Sequence, residues 1–164
     1  MSEIASTTPF VVFGPMVRRV DRTSVTVVVG VREHCQATLR VFPLGLAPGY
    51  ARGAPEVSAA APTVRLGESL HVVAVTVRGT FGAGALFGYD LDFGGQRTSL
   101  FAAGVVHADP AEAKAALAYP DGPGWPSFPT PPDDPSKLRI FHGSCRRRTR
   151  RARTCCPRST TSSG

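Results

Sequence analysis

Two side chains that can bind a transition metal, His142 and Cys145, follow a short apolar run near the carboxyl end of the chain. The run, residues 138–141, predicts a buried strand, and open α/β sheets present their chemistry at the carboxyl ends of such strands. Imidazole nitrogen and thiolate sulfur both bind transition metals. From spacing alone, the pair is interpreted either as part of a metal site or as a surface histidine beside a buried structural cysteine.

The other histidines are isolated in the sequence. His34, which adjoins Cys35, and His71 and His107 are interpreted as structural or solvated residues. No glycine-flanked serine elbow and no phosphate-binding glycine loop with its lysine is present. Residues 138–145 therefore carry the main candidate for chemistry.

Two carboxylates, Asp90 and Asp92, alternate with apolar residues in the segment 86–93. Period-two alternation places both on one face of a strand, opposite Tyr89 and its apolar neighbours. Two carboxylates on one face could bind a cation, but an outward, solvated position explains them better. Tyr89 is interpreted either as the tyrosine-corner residue of an immunoglobulin-like fold or as an ordinary inward aromatic.

The net charge of +7 is unevenly distributed along the 164 residues. Residues 146–164 hold seven arginines and no acid, so the rest of the chain has 12 basic and 12 acidic side chains. A neutral body gives no electrostatic reason to bind phosphate backbones specifically. No specific nucleic-acid partner is expected, and a nonspecific contact would depend on the arginine-rich tail.

The four cysteines do not form a recognisable framework. Cys35, Cys145, Cys155 and Cys156 contain no C-x-x-C pair. The amino terminus lacks the basic start and apolar stretch of a signal peptide, and no apolar run approaches the length of about 20 residues that a membrane helix needs. These features predict a cytoplasmic location with reduced thiols and no membrane partner.

Short segments of alternating β-branched and aromatic residues dominate the first 104 residues. The predicted strands are residues 10–20 with a kink at Gly14-Pro15, 24–31, 37–42, 62–66, 70–77 and 86–93, followed by a hairpin through Gly94-Gly95 into 96–101. Residues 43–62, rich in proline, glycine and alanine, are predicted to form a long loop. Together the segments predict an all-β fold, an immunoglobulin- or fibronectin-III-like β-sandwich over residues 8–104.

Residues 105–136 are expected to connect this sandwich to a second unit. Asp109 and Pro110 suit the first turn of a short helix over residues 109–117. A proline-rich linker with Trp125 and Phe128 follows, and its prolines favour extended conformations. Residues 137–147 are then the predicted first strand of an α/β domain, and 148–164 a basic, disordered tail.

Three segments resemble the amino-terminal half of PhoD-like (alkaline phosphatase D type) metallophosphatases. They are GPMVRRVDRTSVTV at 14–27, LFGYDL at 86–91 and LRIFHGSCRR at 138–147. The resemblance implies a β-sandwich preceding a metallophosphatase domain, with Cys145 as a metal ligand at the end of the first catalytic strand. It also implies a phosphate ester substrate and divalent or trivalent metal ions in the full-length parent.

The resemblance ends near Arg148, and the remaining ligands that it implies have no positions in this chain. When residues 154–163 are back-translated and shifted by one base, they can encode Val-Leu-Pro and Leu-Asp-Asp-Leu-Ile, an amphipathic helical pattern. This predicts a frameshift near residues 146–149 and a truncated catalytic domain. One ligand cannot hold a catalytic metal, so this chain is expected to bind none and to be inactive.

Two alternatives to a phosphatase fragment remain open at this point. One is a non-catalytic β-sandwich that acts as a binding or interaction module. The other is nonspecific, salt-sensitive nucleic-acid contact through the arginine-rich tail. The oligomeric state does not follow from the sequence.

Overall fold

Residues 9–45, 57–106 and 124–139 are described in the computed structural model, and within them eight strands form two four-stranded antiparallel sheets. The strands are β1 (Val11–Val20), β2 (Ser24–Val31), β3 (Gln36–Pro43), β4 (Val57–Pro62), β5 (Val64–Gly67), β6 (Leu70–Arg78), β7 (Leu86–Asp92) and β8 (Ser127–Pro129). The order in sheet A is β1-β2-β6-β5, and in sheet B it is β4-β3-β7-β8. The predicted all-β sandwich is confirmed.

The core lies between the two sheets and is built mainly from valines at alternate positions. Val25, Val27 and Val29 of β2 lie opposite valines of β6 in register, and these side chains are almost completely buried. Sheet B contributes the buried Leu39 and Leu91 from its two central strands. Alternating β-branched residues fit a strand with one buried face, which is why the sequence pattern located β2 and β6 to within a residue.

An aromatic cluster closes one end of the core. Phe81 is fully buried and packs edge-on against Phe87 and Phe128, with ring centroids 5.2 and 6.5 Å apart. The ring of Phe128 stacks on Phe87 at 5.9 Å. Phe128 comes from the predicted linker, so residues 127–129 are edge strand β8 of sheet B and the sandwich extends past residue 104.

Two further predictions, for segments between residues 43 and 101, are wrong. Residues 57–62 form β4 and not a loop, and alternate residues of the strand face inward. Three of the six residues are alanines, which have low strand propensity. Residues 96–101 form turns and not a strand. Gly94 and Gly95 both adopt positive φ, and Arg97 donates its backbone N–H to the carbonyl of Gly94, closing a tight turn after β7.

The start of the predicted second unit is only partly described. Residues Pro135–Lys137 form one turn of 3-10 helix with Asp134 as its N-cap, and Leu138 and Arg139 are not in a strand. The predicted helix over residues 109–117 and residues 140–147 of the predicted catalytic strand lie outside the described residues.

Candidate functional site

The predicted metal ligand Cys145 and its neighbour His142 lie outside the described residues, as do His107 and the whole tail 148–164. The metal position implied by the resemblance therefore stays a prediction. Of the residues that sequence analysis considered for chemistry, the structure places His34, Cys35, His71, Tyr89, Asp90 and Asp92.

Two connections that cross between the sheets meet at one end of the sandwich. The β2–β3 connection contains His34 and Cys35, and Thr63 is the single residue between β4 and β5. The backbone N–H of Thr63 donates to the carbonyl of Cys35 at 2.9 Å, and the Thr63 hydroxyl accepts from the backbone N–H of Cys35 at 3.0 Å. The same hydroxyl lies 3.1 Å from the Cys35 carbonyl, to which it donates.

The imidazoles of His34 and His71 are brought together beneath this crossing. Their ring centroids are 6.1 Å apart, and Nδ1 of His34 lies 3.2 Å from the Thr63 hydroxyl. His71 is only 8% exposed, and its Nδ1 is buried without a hydrogen-bond partner. Because strand β6 returns beside the β2–β3 connection, two histidines that look isolated in the sequence are neighbours in the fold.

A shallow, open depression of about 520 Å³ lies beside these residues. Its floor includes His34, Cys35 and Asp92, and the Gly94-Gly95 turn forms one side. Burial raises the pKa of the Cys35 thiol, an effect that the nearby Arg97 guanidinium offsets in part. The thiol is therefore protonated at neutral pH, which makes it a poor nucleophile and a poor metal ligand.

The Thr63 hydroxyl and His34 have the residue types of a nucleophile and a base, but their geometry is that of a structural contact. Thr63 is 5% exposed, and its hydroxyl is engaged by both backbone groups of Cys35. Across residues 9–45, 57–106 and 124–139, no group of three His, Cys, Asp or Glu side chains is arranged to hold a metal ion. The cluster is best described as the clamp that joins the two crossing connections.

Asp90 is buried, which corrects its predicted outward, solvated position. It is 2% exposed, and one carboxylate oxygen accepts the backbone N–H groups of Leu100 and Leu91 at 2.8 and 2.9 Å. Residues 99–104 fold over this face of β7 and exclude water from the carboxylate. Asp92, by contrast, is partly exposed and forms an ion pair with Arg40, so the two carboxylates do not make a joint cation site.

Tyr89 faces inward. It is 3% exposed, its ring centroid lies 6.3 Å from that of Phe128, and burial raises the pKa of its hydroxyl to about 12. In the described part of the chain no hydrogen bond to the Tyr89 hydroxyl is found, so the structure favours the ordinary inward aromatic over a tyrosine corner.

Replacing Thr63 by valine is expected to lower the free energy of unfolding by about 1–3 kcal/mol, because the partly buried N–H of Cys35 loses its acceptor. Thr63→Ser keeps the hydroxyl and is the matched control, with an expected loss below about 1 kcal/mol. Urea unfolding followed by circular dichroism measures both. Equal losses for valine and serine would show that the hydroxyl is not what joins the two connections.

Alkylation of Cys35 is expected to be slow at neutral pH, and its rate is expected to keep rising with pH beyond the ordinary thiol pKa of 9.0, since burial raises the pKa of this thiol in the folded state. The neutral Cys35 thiol therefore stabilises the folded state at pH values below the unfolded-state pKa of the thiol. This stabilisation is lost as the pH rises through the folded-state pKa. Iodoacetamide rates are measured between about pH 7 and 10 on a variant with the other three cysteines replaced by serine. The urea-unfolded variant is the control, and identical pH profiles for the two states would contradict the assignment.

Comparisons with known proteins yielded no match to a family model, a curated protein or a solved structure. In the described ranges, no helix has the length and apolar character needed to cross a membrane.

Proposed function

We propose that this sandwich is an immunoglobulin-like accessory domain that precedes the catalytic domain of a PhoD-like metallophosphatase. The strand order supports the immunoglobulin-like assignment. Sheet A, with β1-β2-β6-β5, has the order A-B-E-D, and the β3-β7-β8 part of sheet B has the order C-F-G, with β4 in the position of C′.

The phosphatase proposal is supported by the point along the chain at which the last strand of the sandwich ends. Its last strand, β8, ends at Pro129, nine residues before the segment 138–147 that resembles the first catalytic strand of that family. The order along the chain is then a complete sandwich, a short connection and the Gly-Ser-Cys segment at residues 143–145.

The connection after β8 is held against the sandwich. Thr130 is buried and exchanges hydrogen bonds with Ala85 at 2.9 and 3.0 Å, and its hydroxyl donates to the carbonyl of Gly82. Asp133 forms an ion pair with Arg22, which lies in the β1–β2 turn. A domain that follows Arg139 would therefore be tethered near this end of the sandwich.

In the full-length parent, the proposed reaction is hydrolysis of a phosphate ester. Metal ions bound to the catalytic domain would polarise the phosphoryl group and activate water. Cys145 would supply one thiolate ligand, and a sandwich fixed through Thr130 and Asp133 would restrain the chain that leads into the catalytic strand.

The test restores the reading frame beyond residue 148 and assays the full-length product. With divalent or trivalent metal ions it is expected to hydrolyse bis(p-nitrophenyl) phosphate or p-nitrophenyl phosphate, and Cys145→Ser is expected to reduce the rate more than about 10-fold. Cys35→Ser is the matched control and is expected to leave the rate unchanged. A restored protein without activity, or a Cys145→Ser variant as active as its parent, would refute the proposal.

A further inference from the structure

The chain leaves the sandwich through residues 130–139, which we call the exit segment. Its first residue, Thr130, is buried, and the backbone N–H of Gly84 donates to the carbonyl of Pro131 at 3.2 Å. Every residue from 133 to 139 is exposed. The start of the exit segment is therefore fixed to the sandwich, whereas the rest of it lies on the surface.

One ion pair connects the exposed part of the exit segment to the sandwich. Within the described ranges, the contact between Arg22 and Asp133 is the one hydrogen bond or ion pair that joins residues 132–139 to a strand or turn of the sandwich. The other polar contacts of these residues are local, since Asp134 accepts the backbone N–H of Ser136 at 2.9 Å in the 3-10 turn. The position of residues 133–139 therefore depends on Arg22.

The guanidinium of Arg22 is oriented before it meets Asp133. Its Nε donates to the carbonyl of Phe81 at 2.8 Å, and Phe81 is fully buried in the aromatic cluster. Because the N–H groups of a guanidinium have fixed directions, this bond leaves Nη1 to bind Asp133. The nearer carboxylate, Asp21, is bonded instead to Arg19 and to groups of its own turn. The contact is therefore specific for Arg22 and Asp133.

This ion pair is weak compared with the anchor at the start of the exit segment. Its two side chains are 46% and 79% exposed, and water and salt screen such exposed pairs strongly. Thr130, by contrast, is buried and exchanges hydrogen bonds with Ala85. Salt is therefore expected to separate Arg22 from Asp133 while Thr130 stays bound.

We propose that Arg22 is a latch that holds residues 133–139 against the sandwich and that opens at high ionic strength. When the latch is closed, it fixes the direction in which the chain leaves the sandwich. When it is open, the exposed residues pivot about Thr130. The consequence for a following catalytic domain, whose orientation the latch would set, rests on the proposed function. The latch itself is a property of the present chain and does not depend on phosphatase activity.

Pulsed electron paramagnetic resonance on the full chain tests the proposal. Spin labels are attached through Ala74→Cys, on an exposed position of β6, and Lys137→Cys, in the exit segment. The four natural cysteines are replaced by serine, and folding is checked by circular dichroism. The distribution of distances between the labels is expected to be narrow at low salt. It is expected to at least double in width at about 1 M NaCl, where the Debye length is about 3 Å.

Two substitutions remove the latch, and one serves as the matched control. Arg22→Ala and Asp133→Asn are each expected to widen the distribution at low salt as much as NaCl widens that of the parent chain. Asp133 is the more exposed partner, so its variant decides the test if Arg22→Ala does not fold. Arg19→Ala removes the same group from an exposed residue of the neighbouring strand end, which pairs with Asp21, and is expected to leave the distribution narrow.

Three results would overturn the proposal. The first is a distribution that is already wide in the parent chain at low salt, because residues 133–139 are then not held. The second is a distribution that stays narrow in NaCl, because the contact is then not controlled by ionic strength. The third is the same distribution for Arg22→Ala and Arg19→Ala, because Arg22 then has no particular role. None of these results bears on whether a restored full-length protein hydrolyses phosphate esters.

Discussion

Phe81→Ala is expected to lower the free energy of unfolding by about 3–5 kcal/mol, the largest effect of any single substitution considered for this protein. The side chain is fully buried and contacts both Phe87 and Phe128, so its removal leaves a cavity where the two sheets and β8 meet. Typical domains are stable by only about 5–15 kcal/mol, so the variant is expected to be close to unfolding at ambient temperature.

Phe101→Ala is the control for this prediction, because Phe101 is 52% exposed and the chemical change is identical. Its expected effect is within about 0.5 kcal/mol. Thermal and urea unfolding of the two variants measure the difference. Similar losses at positions 81 and 101 would mean that the aromatic cluster is not the packed end of the core.

Asp90→Ala is expected to cost about 2–4 kcal/mol, because two buried backbone N–H groups lose a charged acceptor. These groups belong to Leu91 and Leu100, and Leu100 is the fully buried residue that fixes the 99–104 turns over β7. Hydrogen exchange gives a residue-specific readout, and the amide of Leu100 is expected to lose protection well beyond any global change in stability.

Asp90→Asn keeps an acceptor oxygen and is expected to lose less than half as much stability as Asp90→Ala. Asp92→Ala, which breaks a partly exposed ion pair with Arg40, is expected to cost about 1 kcal/mol or less. If the Leu100 amide in Asp90→Ala exchanges as slowly as in the parent chain, the carboxylate does not hold these turns.

The sequence predicts best those strands whose burial follows strict alternation. β2 has valine at every inward position and β6 has valine at three of four, with His71 at the fourth, so the period-two pattern locates both strands to within one residue. β4 was missed because Ala59, Ala60 and Ala61 do not distinguish an inward from an outward position by hydrophobicity. Alanine is also depleted in strands, so neither hydrophobic alternation nor strand propensity indicates β4.

Long-range pairing explains the remaining differences in the fold. Nothing local in the proline-rich segment identifies residues 127–129 as a strand, since β8 exists only by pairing with β7, some 40 residues earlier. The burial of Asp90 has the same origin. Its strand position is outward, as alternation predicts, but the following turns cover that face and supply the N–H donors.

The site was predicted less completely than the fold. Sequence spacing cannot show that His34 and His71 are neighbours, because they lie on different strands and connections that meet only when the sandwich forms. Thr63 gives no sequence signal of its role, because its burial and its place where the chain changes sheet exist only in the folded structure. Cys145 is predicted from resemblance and lies outside the described residues.

The genomic DNA around and beyond the codons for residues 146–164 tests the central proposal most directly. We predict that a frame displaced by one base continues without a stop codon, encodes an amphipathic helix beginning near residue 154, and then supplies the Asp, Asn and His residues of a metallophosphatase site. If every frame downstream is closed or encodes no such residues, the proposed accessory role in a phosphatase is contradicted.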